Sequence, residues 1–498
     1  MHDTQPGIPT SPFRPSSVRL GQRPLRSSLF LLLLGAATLS ACSLVTSPQS
    51  GGSTTGPGGG GAGGEGEALP VTCSWAKKTS DATCPAGECP IVLDEELSCD
   101  DNEFAAPGVR VAPAPDATWV ATSSQNDRMV FRLADGKEER QEEVPKDFTR
   151  KVILLSLTTD GAVHLAADAS EPDGQTSVVT YPGGLTHATF ANGAWSSSVV
   201  VDPDDRGVPV IDMEIGSENR PHIWFVSDGP DGLTMATPDG QGGWAVSPET
   251  RGDRFTLAGD GSVIGVGLEP FASVAYKLHA VIGGVDKSFG SPLSDWSNFA
   301  LATPPMPAAP SDLLFAVAIE TLEGIRIMKA SSALPETETL IAGTTAPVES
   351  CVTPLDVPSC KDTCHNTGSG VEYGAFSIAW TDDGTAWLAY VVTTVDQVIE
   401  YSVQGGPGEE HCVANVINDS SEGTLHLLRA PLDGSSPEEV LTMPIGRPGA
   451  RDAFSGFYTS GRFLDMRGFA KDLAIGVRTG WVGGPHAVRV LRIDTTKL

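Results

Sequence analysis

Residues 211–250, IDMEIGSENRPHIWFVSDGPDGLTMATPDGQGGWAVSPET, contain the clearest pattern of strands and turns in the chain. Apolar side chains alternate at the start of this stretch, at Ile211, Met213 and Ile215, which predicts a half-buried β-strand. Further apolar segments follow, and the Gly-Pro-Asp-Gly sequence between two of them predicts a tight turn. The predicted strands are residues 211–215, 222–226, 233–236 and 244–246. The stretch therefore predicts one four-stranded antiparallel meander.

Fainter copies of the turn that opens the second strand recur along the chain. With the turn of this stretch itself, seven are found, at residues 114–121, 159–166, 218–224, 259–266, 310–317, 382–389 and 469–475. Four strands repeated at intervals of about 40 to 90 residues are typical of a β-propeller, in which each blade buries its faces only against its neighbours. We therefore predict an all-β propeller over residues 108–498, with about seven four-stranded blades, six to eight being compatible with the repeats. The long intervals predict a disulfide-bearing insertion around residues 346–371.

The composition supports many short strands and excludes some partners. The chain has 56 Gly and 38 Pro, and only 19% of its residues are charged, which favours strands and turns over long helices. Its net charge of -29 repels phosphate backbones, so we expect no nucleic acid partner. Metal-ligand runs of the EF-hand type do not occur in the sequence. We expect no metal site and no cofactor.

The N-terminus has the layout of an export signal. A polar segment with four arginines leads into an apolar run, residues 29–39, which is too short to be a permanent membrane span. Leu39-Ser40-Ala41-Cys42 resembles the lipobox of bacterial lipoproteins. The resemblance implies that residues 1–41 are a signal peptide and that Cys42 is lipidated. Since Ser43 and not Asp follows this cysteine, it also implies an outer-membrane location, on either face of that membrane.

The next segment has the composition of a tether. Residues 42–70 are rich in Gly and Ser and contain almost nothing that can be buried, so they are predicted to be disordered. A Gly/Ser chain of about 25 residues has a root-mean-square span near 25 to 30 Å. The predicted partner of the N-terminus is therefore a membrane, reached through the lipid on Cys42.

The remaining eight cysteines fall into two groups of four. The first group lies in a Cys-rich segment, residues 71–107, and the second lies near the predicted insertion. The disulfide candidates are Cys73, Cys84, Cys89, Cys99, Cys351, Cys360, Cys364 and Cys412. An exported chain passes through an oxidising compartment, which favours disulfides within each group, with the pairing left open. The spacings lack the C-x2-C pairs that zinc sites favour.

The chain end predicts how the ring closes. Residues 487–494 align with the third strand of a blade, and the four residues after them are too few for a fourth. Propellers avoid an unpaired edge by using a strand from the other end of the chain. We therefore expect part of residues 89–112 to pair with the last blade, so that the first cysteine group is the clasp of the ring.

The repeats resemble those of bacterial propellers whose blades follow D-x-x-G-x-x-H-I-x-Y, then L-x-Y-A and G-x-W. Residues 211–246 match this pattern well and the other blades match it in part. The sequence from Asp382 to Trp387 also resembles the Asp-box (BNR repeat) of sialidase-like propellers, with Trp380 at the position that the box gives to Ser or Thr. Because an Asp-box is a structural hairpin turn, these resemblances imply a fold and not an activity.

The sequence contains no recognisable catalytic constellation. His164 and His222 occupy equivalent places in successive repeats, which favours a structural role for both. Sialidase-like catalysis would need an arginine cluster on the central face, whereas the arginines here are scattered along the chain. We predict no catalytic residues, and a membrane-anchored extracytoplasmic binding or scaffold module whose partner is a surface protein or a glycan. The alternative is a polysaccharide-directed glycosidase or lyase with an axial active site.

Overall fold

Thirty β-strands and one short 3-10 helix make up the regular structure that the computed structural model describes. The segments 1–72, with Cys42 and the expected tether, and 79–88, with Cys84, lie outside the described residues. No described helix is long and apolar enough to cross a membrane. The described residues are 73–78, 89–99, 109–123, 128–134, 140–142, 153–157, 162–168, 184–201, 210–216, 219–226, 233–248, 252–258, 261–272, 275–282, 285–293, 299–304, 313–321, 324–331, 337–342, 351, 360, 363–405, 410–430, 435–446, 464–479 and 487–498.

The strands form seven antiparallel sheets, here called blades 1 to 7. In the first three blades the strands, from the innermost outward, are β3 (Arg110–Ala114), β4 (Ala117–Ser123), β5 (Arg128–Ala134) and β6 (Arg140–Glu142); β7 (Ile153–Leu157), β8 (Val163–Asp168), β9 (Leu185–Ala191) and β10 (Ala194–Val201); and β11 (Val210–Ile215), β12 (Pro221–Val226), β13 (Leu233–Pro238) and β14 (Trp244–Pro248). Blade 3 thus contains the four strands that its sequence predicts.

Blades 4 and 5 repeat the same order. Their strands are β15 (Arg254–Leu257), β16 (Val263–Ala272), β17 (Ala275–Ile282) and β18 (Val285–Leu293), followed by β19 (Phe299–Ala302), β20 (Leu313–Thr321), β21 (Gly324–Ser331) and β22 (Thr337–Ala342).

The last two blades depart from it. Blade 6 has β23 (Thr363–Trp380), β24 (Ala386–Gln404), β26 (Glu422–Arg429) and β27 (Glu438–Pro444), with β25 (His411–Asp419) as an additional partner of β24. Blade 7 has β28 (Leu464–Phe469), β29 (Asp472–Thr479) and β30 (Ala487–Asp494), then β2 (Ile91–Cys99) and β1 (Cys73–Lys77). The 3-10 helix Thr495–Lys497 ends the chain.

The innermost strands form a closed ring. Each of the strands β3, β7, β11, β15, β19 and β23 contacts the innermost strand of the next blade, and β28 of blade 7 contacts β3 of blade 1. This arrangement is a seven-bladed β-propeller, which confirms the predicted fold class.

A separate hydrophobic cluster fills each gap between neighbouring blades. In β3, Val111 packs in the cluster shared with blade 7, while Ala112 packs in the cluster shared with blade 2. In β4, Val120 packs in the cluster shared with blade 7, and Trp119 packs in the cluster shared with blade 2. Both faces of this blade are buried because successive side chains of a strand point to opposite faces of the sheet. Burial therefore depends on having a neighbour on each side, and hence on ring closure.

The ring closes through β2, which comes from the N-terminal part of the chain. It pairs antiparallel with β30, from Ile91 opposite Ile493 to Ser98 opposite Ala487. The backbone N–H of Asp494 continues the ladder by donating to the carbonyl oxygen of Pro90 at 2.8 Å. β2 lies within residues 89–112, the segment in which the sequence predicts the clasp. β1 then pairs with β2 as a fifth strand at the outer edge.

A buried ion pair fixes this clasp. Arg489 Nε and Nη2 lie 2.9 and 2.8 Å from the two carboxylate oxygens of Asp94. Arg489 Nη1 donates to the carbonyl oxygen of Pro444 in blade 6 at 2.9 Å. Both charged residues are more than nine-tenths buried, so each depends on the other to compensate for lost hydration. The pair therefore joins β2 to β30, and Arg489 also joins both strands to blade 6.

Blade 6 carries the second elaboration, here called the blade 6 extension. Residues 363–371 of β23 pair with residues 392–400 of β24, and β25 pairs with the last residues of β24. The predicted insertion, residues 346–371, includes only the first strand of this extension. The rest was missed because its alternating apolar residues continue the pattern of the blade strand without a break.

Disulfides tie the extension together. Cys351 is bonded to Cys364, and Cys360 is bonded to Cys412. They pack with Ile399, Tyr401 and Ala414 in a small core of their own. In the first cysteine group Cys89 is disulfide-bonded, and Cys73 lies opposite Cys99 in the backbone register of β1 and β2. The two disulfides of the second group thus both lie within residues 351–412.

We expect Asp94→Ala to destabilise the propeller by about 3 to 5 kcal/mol, since it leaves the buried Arg489 guanidinium without its carboxylate partner. Urea denaturation of the purified protein measures the change in the free energy of unfolding. Glu96→Ala is the matched control on the same strand, because its ion pair with Lys78 is more exposed and should contribute less than about 1 kcal/mol. Equal losses for the two variants would contradict the proposed role of the clasp pair.

Candidate binding site at the propeller axis

The innermost strands of three blades place charged side chains together at the centre of the ring. Asp465 of β28 is fully buried, and its Oδ2 accepts a hydrogen bond from the backbone N–H of Val111 in blade 1 at 3.0 Å. Its other oxygen lies 3.6 Å from Nη1 of the buried Arg110. These contacts join blade 7, the last blade of the ring, to blade 1, the first.

A second ion pair crosses from blade 7 to blade 3. Arg467 Nη1 donates to Glu214 Oε1 at 3.2 Å, and Arg467 Nε lies 3.9 Å from Asp465. Burial by itself would lower the pKa of the Arg467 guanidinium, but the carboxylates of Glu214, Asp465 and Asp212 outweigh it and the pKa is raised. Arg467 is therefore a permanent cation that contacts the carboxylates of Glu214 and Asp465.

A cavity of about 220 Å³ opens beside this pair. Its lining comes from the C-terminal ends of the innermost strands of blades 3 to 7 and from the residues that follow them. The side chains include an ion pair, hydroxyl groups, a carboxylate and an indole, from Glu214, Arg467, Thr256, Thr303, Asp382 and Trp380. The hydroxyls of Thr256 and Thr303 lie 3.2 Å apart. We refer to this cavity as the axial pocket.

Glycine is required at one point of the pocket wall. A Cβ added to Gly468 would lie 1.8 Å from the carbonyl oxygen of Trp380, so the backbones of β28 and β23 are too close for any side chain there. Just beyond, the backbone N–H of Asp382 donates to the carbonyl oxygen of Ala470 at 2.9 Å. The ends of the innermost strands of blades 6 and 7 are thereby fixed to each other around the pocket.

The turn of residues 381–385 has the hydrogen bonds of a structural hairpin. Thr381 Oγ1 donates to Asp383 Oδ1 at 2.7 Å and accepts from the indole Nε1 of Trp387 at 2.9 Å. The backbone N–H of Thr385 donates to the same Asp383 oxygen at 3.0 Å. Thr381 and Asp383 therefore supply the hydroxyl and the carboxylate that close this turn. Trp380 and Asp382, the two residues that the Asp-box resemblance singles out, line the axial pocket.

The repeated histidines lie away from the axial pocket. Nδ1 of His164 lies 2.9 Å from Nε2 of His187, and the two rings stack with their centroids 5.1 Å apart. The edge of His187 also meets the indole ring of Trp244 in blade 3. His222 stacks on Trp224 within its own blade. His164 and His222, for which the sequence predicts a structural role, thus each pack against another aromatic ring, and the structure does not bring the two together.

The sequence did not reveal the pairing of Arg467 with Glu214. The signal available is the placement of charges two residues apart in strands whose neighbours are apolar, Asp212-Met213-Glu214 and Asp465-Met466-Arg467. Side chains two residues apart point to the same face of a strand, so both motifs indicate a charged face. That these faces meet depends on ring closure, since Glu214 and Arg467 are 253 residues apart.

Among known proteins, no family model and no curated sequence matches the chain. Solved structures that match include YCF48 bound to a D1 peptide, with a TM-score of 0.32 and 11% identity over 64% of this chain and 92% of that chain. The gluconolactonase XC5397 from Xanthomonas campestris gives 0.26 and 11% over 85% and 97%. The polysaccharide lyase Uly1 gives 0.30 and 9% over 79% and 91%. These neighbours are β-propellers, and values this low carry no argument about function.

The histidine pair predicts a pH dependence of stability. Burial, and secondarily the neighbouring His164, lowers the pKa of His187 from 6.5 to about 3. The unfolded chain therefore binds the proton more readily, so folding stability is lost as the pH falls from about 6.5 towards 3, by roughly 3 to 5 kcal/mol in all. Urea denaturation at a series of pH values measures this loss.

The loss should shrink by about half or more in His187→Phe, which has no proton to bind. His411→Ala, at an exposed histidine, is the control and should keep the wild-type pH profile. A His187→Phe profile as steep as that of the wild type would show that this pair is not responsible.

Proposed function

We propose that this protein is a lipid-anchored extracytoplasmic binding module that takes a small polar ligand, such as the end of a glycan chain, into the axial pocket. The axial pocket carries this proposal because it is the concave surface where five blades converge and where donors, acceptors and an indole lie side by side. The alternative partner, a surface protein, would present a comparable small polar group.

The lining of the pocket supports binding of hydroxyl-rich molecules. Glu214 and Asp382 supply acceptors, Arg467 supplies donors, and the hydroxyls of Thr256 and Thr303 can do both. The Arg467 and Glu214 side chains are oriented by each other and by Asp465, so they are preorganised for a ligand. A volume of about 220 Å³ suits a group of roughly the size of one sugar ring.

The same contacts favour binding over hydrolysis. Glycoside hydrolysis requires two carboxyl groups with different protonation roles on either side of the scissile bond. Here Glu214 is engaged by the permanent cation Arg467, and Asp465 is engaged by Val111 and Arg110. These two carboxylates hold blades together, which leaves Asp382 as the remaining carboxylate of the pocket lining.

The disulfides of the blade 6 extension support the extracytoplasmic location. The bonds Cys351–Cys364 and Cys360–Cys412 suit a chain that folds in an oxidising compartment. The lipobox at Leu39–Cys42 supports anchoring in the outer membrane.

We expect Cys42→Ser to move the protein from the detergent-extracted membrane fraction into the soluble extracytoplasmic fraction, because the serine cannot receive the diacylglycerol group. Cell fractionation and immunoblotting measure the distribution. Cys42→Ser protein that remains in the membrane fraction would contradict lipid anchoring.

We expect the soluble Cys42→Ser protein to bind members of a glycan array, and Thr303→Tyr in that background to weaken binding at least tenfold by filling the pocket. Val246→Thr, on the exposed outer strand of blade 3, is the control and should bind normally. Thermal melts of each variant check that the fold is intact. Equal binding by both variants would exclude the axial pocket, and release of shortened glycans would favour the hydrolase or lyase alternative.

A further inference from the structure

The axial pocket defines one face of the propeller. Five innermost strands run in the same direction, and their C-terminal ends supply Glu214, Thr256, Ala302, Trp380 and Gly468 to the lining. We call this side the pocket face. The N-terminal ends of the same strands lie at the opposite face of the ring.

Strand polarity in blade 7 shows where the chain enters the ring. β28 ends at the pocket face. There Phe469 of β28 pairs with Asp472 of β29, which in turn pairs with Asp494 of β30, so β30 also ends at the pocket face. Ile91 lies opposite Ile493, so β2 begins at the pocket face and runs away from it to Cys99. β1 is antiparallel to β2 and Cys73 lies opposite Cys99. The chain therefore enters the ring at the face opposite the pocket.

The blade 6 extension projects from that same opposite face. The pair Trp380 and Ala386 marks the pocket-face end of the β23–β24 hairpin, whereas Thr363 pairs with Glu400 at the other end. Gln404 and His411 pair further out still. At about 3.3 Å per residue, the eight or so residues beyond the blade raise the extension by about 25 Å.

We propose that the axial pocket faces away from the anchoring membrane and takes its ligand from the aqueous phase, while the blade 6 extension points towards the membrane. This inference rests on the lipid anchor at Cys42 that is part of the proposed function. The tether is attached through β1 to the face opposite the pocket, and its expected span of about 25 to 30 Å matches the height of the extension. To turn the pocket towards the lipid, the tether would have to pass around the outer edge of blade 7.

The orientation determines which ligands reach the pocket. A lipid headgroup of the anchoring membrane would have to pass the full height of the ring, whereas a soluble glycan or a group on a facing surface meets the pocket directly. The two faces thereby separate attachment from binding.

The test uses the complete lipidated protein reconstituted in phosphatidylcholine vesicles that contain a lipid-linked energy-transfer acceptor. An azide-bearing amino acid, which leaves the cysteines untouched, replaces Gln241 in a turn at the pocket face or Gln404 at the end of the extension, and a donor dye is attached. Both residues are exposed. We expect energy transfer to be at least twofold more efficient from position 404 than from position 241. Equal efficiencies, or the reverse order, would overturn the proposed orientation.

A second measurement does not depend on the dyes. The rate at which a bulky polyethylene glycol alkyne reacts with the azide should fall severalfold on vesicles relative to detergent at position 404, and should change little at position 241. Slower reaction at position 241 alone would overturn the inference. The Cys42→Ser protein is the control, since it should show neither energy transfer nor slowing. If the Cys42-containing protein also shows neither, anchoring itself fails, which distinguishes failure of the proposed function from failure of the orientation.

Discussion

The blades of this propeller bury both of their faces only because the N-terminal strand β2 closes the ring. Each blade buries two faces, so an open ring would leave the faces of blades 7 and 1 in water. The β2–β30 ladder prevents this, and the Asp94–Arg489 pair makes it selective, because each buried charge is compensated only when the correct strand is in place. Arg489 also bonds Pro444 of blade 6, so the clasp is coupled to its neighbour.

The chemistry at the axis follows from this closure. Asp465 can accept a hydrogen bond from Val111 only when blade 7 lies beside blade 1. Arg467 can reach Glu214 only when the ring has its closed diameter. The charged residues at the centre therefore have two consequences, since they hold the blades in register and orient the polar groups of the axial pocket. At Gly468 the backbones of β28 and β23 lie so close together that no side chain fits between them.

The two faces of the ring differ in ways that strand polarity makes unavoidable. An even number of antiparallel steps separates β28 from β1, so β1 runs in the same direction as the innermost strand and begins away from the pocket. The hairpin of blade 6 extends on that side, where its disulfides stabilise a small core that the propeller does not supply. With the lipid tether that we propose, attachment and recognition would lie on separate surfaces.

The blades could be predicted from the sequence, because strand alternation and turn chemistry are local. The four strands of blade 3, the seven repeat positions and the lack of a fourth C-terminal strand can all be recognised within a few tens of residues. Which distant residues contact each other could be seen only in the folded chain. Glu214 and Arg467 are ordinary charged residues in two short strands, and the hydrogen bonds of Thr381 with Asp383 and Trp387 form only in the folded turn. The second half of the blade 6 extension was hidden because a paired strand beyond the blade has the same alternation as one within it. Such contacts form only in the closed ring, and a local pattern of residues does not predict which strands the closed ring brings together.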